Sequence, residues 1–196
     1  MLQSSSTSFI NSQKWIVFLL VVTLMLGVFF RLVNLDRKPY WADENFTSSV
    51  ISGYSHQELI DKFAGEQAVS VREFLSYQYP NRDRNLGDTL KIIAEDVHPP
   101  LYYLMTRFWV QWFGNSVAVI RSLAAIFSIL TLPLMYWLCL ELFKSPLTGW
   151  VATALMPVSP FHVLYAQESR QYSFLTLVIV FASLDIDLCY PCHYFP

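Results

Sequence analysis

Two adjacent carboxylates, Asp43 and Glu44, stand shortly beyond an apolar run at positions 15–30. A carboxylate at a bilayer edge is costly to desolvate, so it requires water, a partner or a reaction. A positioned carboxylate can draw the proton from an attacking hydroxyl. Adjacent residues project differently from one backbone, so two such groups suit two different tasks. Tyr40 and Trp41 precede them and are of the type that settles at a headgroup boundary. The plain alternative is a wet loop with an aromatic anchor.

Further polar groups downstream weigh against that alternative. In Asp96-Val97-His98-Pro99-Pro100 the two prolines deny helix to the preceding residue and hold His98 in an extended segment. Tyr102 and Tyr103 follow and read as headgroup anchors. Arg121 opens a long apolar run, and Tyr165-Ala166-Gln167-Glu168-Ser169-Arg170-Gln171-Tyr172 forms a polar knot between two others. Asp43, Glu44, His98 and Glu168 could hold a divalent cation, although no spacing among them demands one. Cys189 and Cys192 form a C-x-x-C with no second pair to complete a zinc site. His56 and His162 have no evident partner.

The elements that must position these groups are membrane helices. The chain has 196 residues, 54% hydrophobic and only 14% charged, whereas charged residues supply about a quarter of a soluble domain. The charges crowd between Asp36 and Asp96. A net charge of −2 and the absence of a basic run exclude nucleic-acid binding. The composition predicts an all-α polytopic membrane protein with a large extracytoplasmic first loop, about residues 36–116, containing short interfacial helices.

Spans are expected at about residues 14–34, 117–143, 148–165 and 172–187, with Pro133, Pro157 and Pro160 as breaks. Residues 1–13 are Ser-rich and read as a disordered cytoplasmic tail. In the loop, Ser55 to Glu58 has capping-box spacing before one helix, Val71, Phe74 and Leu75 mark a second, and Asp88 is placed to cap a third. Residues 101–113 are apolar but short and carry Arg107, so they are expected to lie along the interface. Asp185 and Asp187 fall where the fourth span should still be in hydrocarbon, so residues 185–196 read as the end of a truncated or frameshifted product. Lys14 and Lys144 place their connections in the cytoplasm. The first span then exits and 117–143 returns, which gathers all the polar groups at the extracytoplasmic face.

The order W-A-D-E after the first span, then D-V-H-P-P-L-Y-Y, R-S-L-A-A-I-F-S and S-P-F-H-V-L-Y-A-Q-E-S-R-Q-Y resembles the GT-C membrane glycosyltransferases. The branch is that of protein O-mannosyltransferases and aminoarabinose transferases, often labelled family 39. The similarity runs over about residues 15–184, and such enzymes are well over twice this length, which implies an amino-terminal fragment, inactive alone.

The resemblance implies a GT-C-like fold. The implied reaction is inverting transfer of a hexose such as mannose from a polyprenyl-phosphate donor to a protein or lipid acceptor on the extracytoplasmic side. Asp43 would be the base and Glu44 an orienting group. Arg170, then Arg121 and His98, would meet the leaving phosphate, with Glu168 and Tyr172 completing the substrate-binding set. The chain would be a multi-pass protein of the plasma or inner membrane in a bacterium, or of the endoplasmic reticulum in a eukaryote. Two rival readings are a transporter or channel fragment, whose intramembrane charges and broken helices mark a pathway, and a non-catalytic membrane remnant of the family.

Overall fold

The computed structural model describes residues 3–65, 68–80 and 83–189, with side chains from 14 to 185. Among these residues it is all-helical: α1 Gln3–Leu32, α2 Ala42–Ser52, α3 His56–Phe63, α4 Val71–Ser76, α5 Leu86–Glu95, α6 Pro100–Phe113, α7 Val117–Phe143, α8 Pro146–Val158, α9 Pro160–Ala166 and α10 Tyr172–Cys189. The architecture is that of an all-α membrane protein. The apolar face of α1 is bare, with Trp15 65% and Met25 68% exposed, as expected of a helix that lipid covers.

Two helices are long and apolar enough to cross a membrane, Lys14–Leu32 within α1 and Val117–Phe143. The third expected span is broken, since α8 and α9 meet at a 62° bend and count as one span only if taken together. Pro160 causes the break: it has no N–H to return to the carbonyl of Met156. The apolar part of α10, Tyr172–Asp185, is shorter still, about 21 Å at 1.5 Å per residue. The helix itself continues past Asp185 to Cys189, whereas Cys192 and the rest of the expected atypical end lie outside the described residues. At the other end α1 starts at Gln3, inside the stretch expected as a disordered tail. Extending a helix from a long apolar segment costs far less than nucleating one, so indifferent helix formers such as Ser can join it.

Helix α7 is the axis, packing against α10, α8, α9, α6 and α1. Gly27 is what lets α1 approach α8: a Cβ there would lie 2.0 Å from the Pro157 Cβ. On the other side, Val50, Ile51, Ile93, Tyr103, Val110 and Ile120 form a cluster that fastens α2, α5 and α6 to the start of α7. Tyr102, Leu123 and Phe127 form a second, with Phe174 and Leu177 of α10 against it. The tyrosines are therefore core residues, each 1% exposed, and not the headgroup anchors expected.

The loop helices start where local chemistry directs. Ser55 caps α3 by accepting from Glu58 N at 3.1 Å, while the Glu58 carboxylate accepts from Ser55 N at 2.8 Å. In α5 the cap is Asn85, and Asp88 is its reciprocal partner, accepting from Asn85 N at 2.9 Å; the expected capping role of Asp88 moves three residues upstream. Arg107 explains how α6 tolerates a charge. It is 2% exposed and donates to the Ile51 carbonyl, to Thr89 Oγ1 at 2.7 Å and to the Arg84 carbonyl at 3.4 Å. Its guanidinium thus faces the loop helices and ties α6 to α2 and α5.

The α1–α8 contact supplies a test. Gly27→Val forces a side chain into the Pro157 ring, and overpacking of this kind costs about 1–3 kcal/mol. The melting temperature in detergent should fall, and Gly27→Ala, which adds only the Cβ, should lower it less than Gly27→Val.

Candidate functional site

The two adjacent carboxylates begin α2, a helix that no apolar periodicity announces. At its start the Glu44 carboxylate accepts from Trp41 N at 3.0 Å, as a residue three positions into a helix can. The rest of Glu44 belongs to tertiary structure. Arg121 reaches across from α7 and donates to it twice, Nε to Oε1 at 2.8 Å and an NH2 proton to Oε2 at 2.7 Å. Ser169 N donates to Oε1 at 2.9 Å. Both charged side chains have no exposed surface.

Arg121 has no donor left for a ligand. A guanidinium carries five N–H groups, and besides Glu44 this one serves the carbonyls of Leu35 at 2.6 Å, Lys38 at 3.0 Å and Pro39 at 3.0 Å. In this geometry the Arg121 donors expected to meet a leaving phosphate are all engaged within the protein, and the Glu44 carboxylate orients neighbouring residues. Both are positioning residues: together they fix the α1–α2 connection, the start of α2, the start of α7 and the 167–171 turn.

Asp43 is turned the other way and is half exposed. Its nearest cation is Arg170, Nε to Oδ2 at 3.8 Å. Arg170 is 5% exposed and also reaches the Asp43 carbonyl at 3.4 Å and Thr47 Oγ1 at 3.5 Å. Its NH2 lies 3.3 Å from His98 Nε2. On the far side of the ring, His98 Nδ1 lies 2.9 Å from Asp96 Oδ1. A neutral ring protonated on Nδ1 satisfies both contacts, donating to Asp96 and accepting from Arg170. Asp43, Arg170, His98 and Asp96 therefore form one line of groups, with Asp43 at its open end.

Asp96 is the residue that sequence reading left without a role. The signal was present in the Asp-x-His spacing just before the two prolines, which turns the carboxylate back onto the ring. Burial pushes Asp96 upward, but the hydrogen bonds it accepts from His98, with the Tyr103 phenol nearby, outweigh it and hold the carboxyl below its ordinary value. Burial also pushes up the Tyr103 phenol, reinforced by Asp96, and raises that of Tyr102 to about 12.

The remaining expected residues are placed apart. Glu168 pairs with Lys38 at 2.6 Å. Tyr172 stacks on Tyr165 with ring centroids 4.6 Å apart, and its ring lies 6.0 Å from the Arg170 guanidinium carbon. His56 packs beside Phe46 at 5.7 Å. Among the described residues no three His, Cys, Asp or Glu side chains converge as a metal site. The set Asp43, Glu44, His98 and Glu168 is split between Arg170, Arg121 and Lys38.

Residues 96–183 match the family model for dolichyl-phosphate-mannose-protein mannosyltransferase. The match supports a GT-C-like mannosyltransferase fragment. The match begins at Asp96 and so takes in the His98, Arg121 and Arg170 motifs, and it supports the likeness read from them. No curated protein and no solved structure matches the chain. The matched segment thus contributes every group of the line except Asp43, which α2 brings to it from outside the matched residues.

Two outcomes follow from this geometry. Glu44→Ala leaves Arg121 buried without its counter-charge, and breaking a buried pair costs about 3–5 kcal/mol; equilibrium unfolding followed by tryptophan fluorescence should show it. Asp43→Asn, at a half-exposed position, should change the same measurement little. The second outcome concerns pH. Because the folded protein holds Asp96 below its ordinary value of about 3.9, the carboxylate contributes stability above that pH, and the contribution is lost as pH falls through the folded value. The stability difference between the parent and Asp96→Asn should be present at pH 6 and shrink below about pH 4.

Proposed function

We propose that the chain is the amino-terminal part of a membrane enzyme that moves a hexose such as mannose from a polyprenyl-phosphate donor to a hydroxyl of a protein or lipid acceptor. The observation that carries this reading is the open Asp43 carboxylate 3.8 Å from the buried Arg170 guanidinium, with His98 on its other side. The coarser statement, a glycosyltransferase of the mannosyltransferase type, already follows from the family match.

In this reading Asp43 accepts the proton of the acceptor hydroxyl as its oxygen attacks the anomeric carbon. The bond from that carbon to the phosphate oxygen breaks, and its electron pair leaves with the polyprenyl phosphate. Negative charge then grows on the phosphate, where preorganised donors in a poorly solvated site act most strongly. Arg170 supplies them, and His98, steadied by Asp96, holds the guanidinium toward Asp43. Attack opposite the departing phosphate inverts the anomeric centre. The buried Glu44–Arg121 pair does not touch the reactants in this scheme; it sets where α2 begins and hence where Asp43 points. The reaction side is extracytoplasmic, on the basis of Lys14 and Lys144 and of loops that gather at one end of α7.

The test is sugar transfer in washed membranes, with a polyprenyl-phosphate mannose donor. The chain is assayed alone and joined to the remaining spans of a family member, because part of the donor groove is assigned here to those spans. Asp43→Asn keeps size and hydrogen bonding but cannot take a proton. Transfer by the joined form should fall about 10²–10⁴-fold, the usual worth of a positioned general base, with membrane insertion intact. Turnover at the parent rate would leave Asp43 a structural residue and end the proposal.

A further inference from the structure

Arg31, near the end of α1, is fully buried. Its guanidinium donates to Ser128 Oγ at 2.8 Å, to the Gly27 carbonyl at 2.9 Å and to the Met156 carbonyl at 3.3 Å. The last of these is the carbonyl that Pro160 leaves without its helical partner, so Arg31 also closes the break between α8 and α9. All three acceptors are neutral, and among the described residues no ion pair joins Arg31 to a carboxylate. Arg121 differs in this respect, because Glu44 matches its charge. The three bonds to Arg31 use three of its five N–H groups. Dipoles satisfy these protons, yet the charge itself is unmatched, and an anion that could come near would find it poorly screened.

A cavity adjoins this charge through Ser128 and Met156, two residues that Arg31 contacts and that also line it. It encloses about 210 Å³, and its wall carries the hydroxyl residues Ser128, Thr131, Tyr165, Tyr172 and Thr176 beside His162. Its volume is several times the ~30 Å³ of one water. Ser128 belongs to both the cavity wall and the Arg31 contact, so its oxygen accepts from the guanidinium while its proton remains to be donated. Thr131 and Thr176 already donate to the carbonyls of Phe127 and Tyr172, so Ser128, Tyr165 and Tyr172, from α7, α9 and α10, are the hydroxyls that can meet an oxyanion, with the guanidinium behind them. Phe161, which also lines the cavity, is 69% exposed on the apolar surface of the bundle.

We propose that this cavity is a binding site for a phosphate group, as monoester or diester, with Arg31 as the fixed charge behind Ser128 and with His162 among the donors. It is separate from the Asp43–Arg170–His98 line, although Tyr172 borders both, and it does not depend on the reaction assigned to that line.

The test is a titration of the purified full chain in a neutral detergent, read by melting temperature, with ionic strength held constant by chloride. One arm adds inorganic phosphate alone; the other adds micelles containing phosphatidic acid, against the same micelles with diacylglycerol. A ligand that binds only the folded state raises the melting temperature progressively with concentration. A rise with phosphate, specific to it over chloride, in at least one arm is expected. His162→Leu and Ser128→Ala should each weaken the apparent affinity at least tenfold while keeping the far-UV circular dichroism of the parent. A response to inorganic phosphate identifies a soluble source, and a response to phosphatidic acid alone identifies a lipid headgroup. No rise in either arm, or the same rise in both variants as in the parent, would overturn the proposal. Because His162 lines the cavity without bracing the contacts of Arg31, His162→Leu decides the matter even if Ser128→Ala loosens α1.

Discussion

The buried pair of Glu44 and Arg121 is the interaction on which the rest of this structure depends. A charged pair removed from water must recover its hydration through geometry, and here it does so completely. The carboxylate collects two bonds from Arg121 and one backbone N–H each from Trp41 and Ser169. The guanidinium spends its other protons on three carbonyls of the connection between α1 and α2. Four segments with no apolar reason to meet are thus brought to one point. Asp43, one residue away, inherits its direction from that arrangement.

A second constraint operates at the proline break. Pro160 cannot donate to the Met156 carbonyl, which takes a long bond from Ser159 N at 3.3 Å instead and has room for a second donor. Arg31 reaches it from α1, and Gly27, one turn earlier on the same helix, permits the approach. The same guanidinium touches Ser128 on α7, so three helices share one cation. Break, glycine and arginine form a single device, and each would be costly without the other two.

Much of the fold was legible because it follows local rules. The bounds of α7 appear in the sequence as a long apolar run, and α3 is announced by its capping box. What failed to show depends on distant partners. Helix α2 carries Thr47, Ser48, Ser49 and Ser52 on its buried face, a composition that reads as a loop until Arg121, Arg170 and α6 are placed around it. Tyr102 and Tyr103 have the character of interface anchors, and only packing against α7 makes them core. Arg107 suggested an interfacial helix by its charge, but that charge is spent inward on Ile51 and Thr89. Within the candidate site, residue types gave Asp43, His98 and Arg170, whose contacts join them. They could not separate Glu44 and Arg121 from these, because burial is a property of the assembled chain.

The distance along the chain between Glu44 and Arg121, 77 residues, also orders events during synthesis. At about 5–20 residues per second, roughly 4–15 s pass between the emergence of the carboxylate and that of its partner. Throughout that interval the charge at the start of α2 has only water and its own backbone to satisfy it. The start of α2 therefore cannot take its final place until α7 has been made. Synthesis of α7 delivers the missing cation, and only then can the α1–α2 connection and the start of α2 settle on Arg121. The pair thus sets an order of assembly as well as bracing the finished fold.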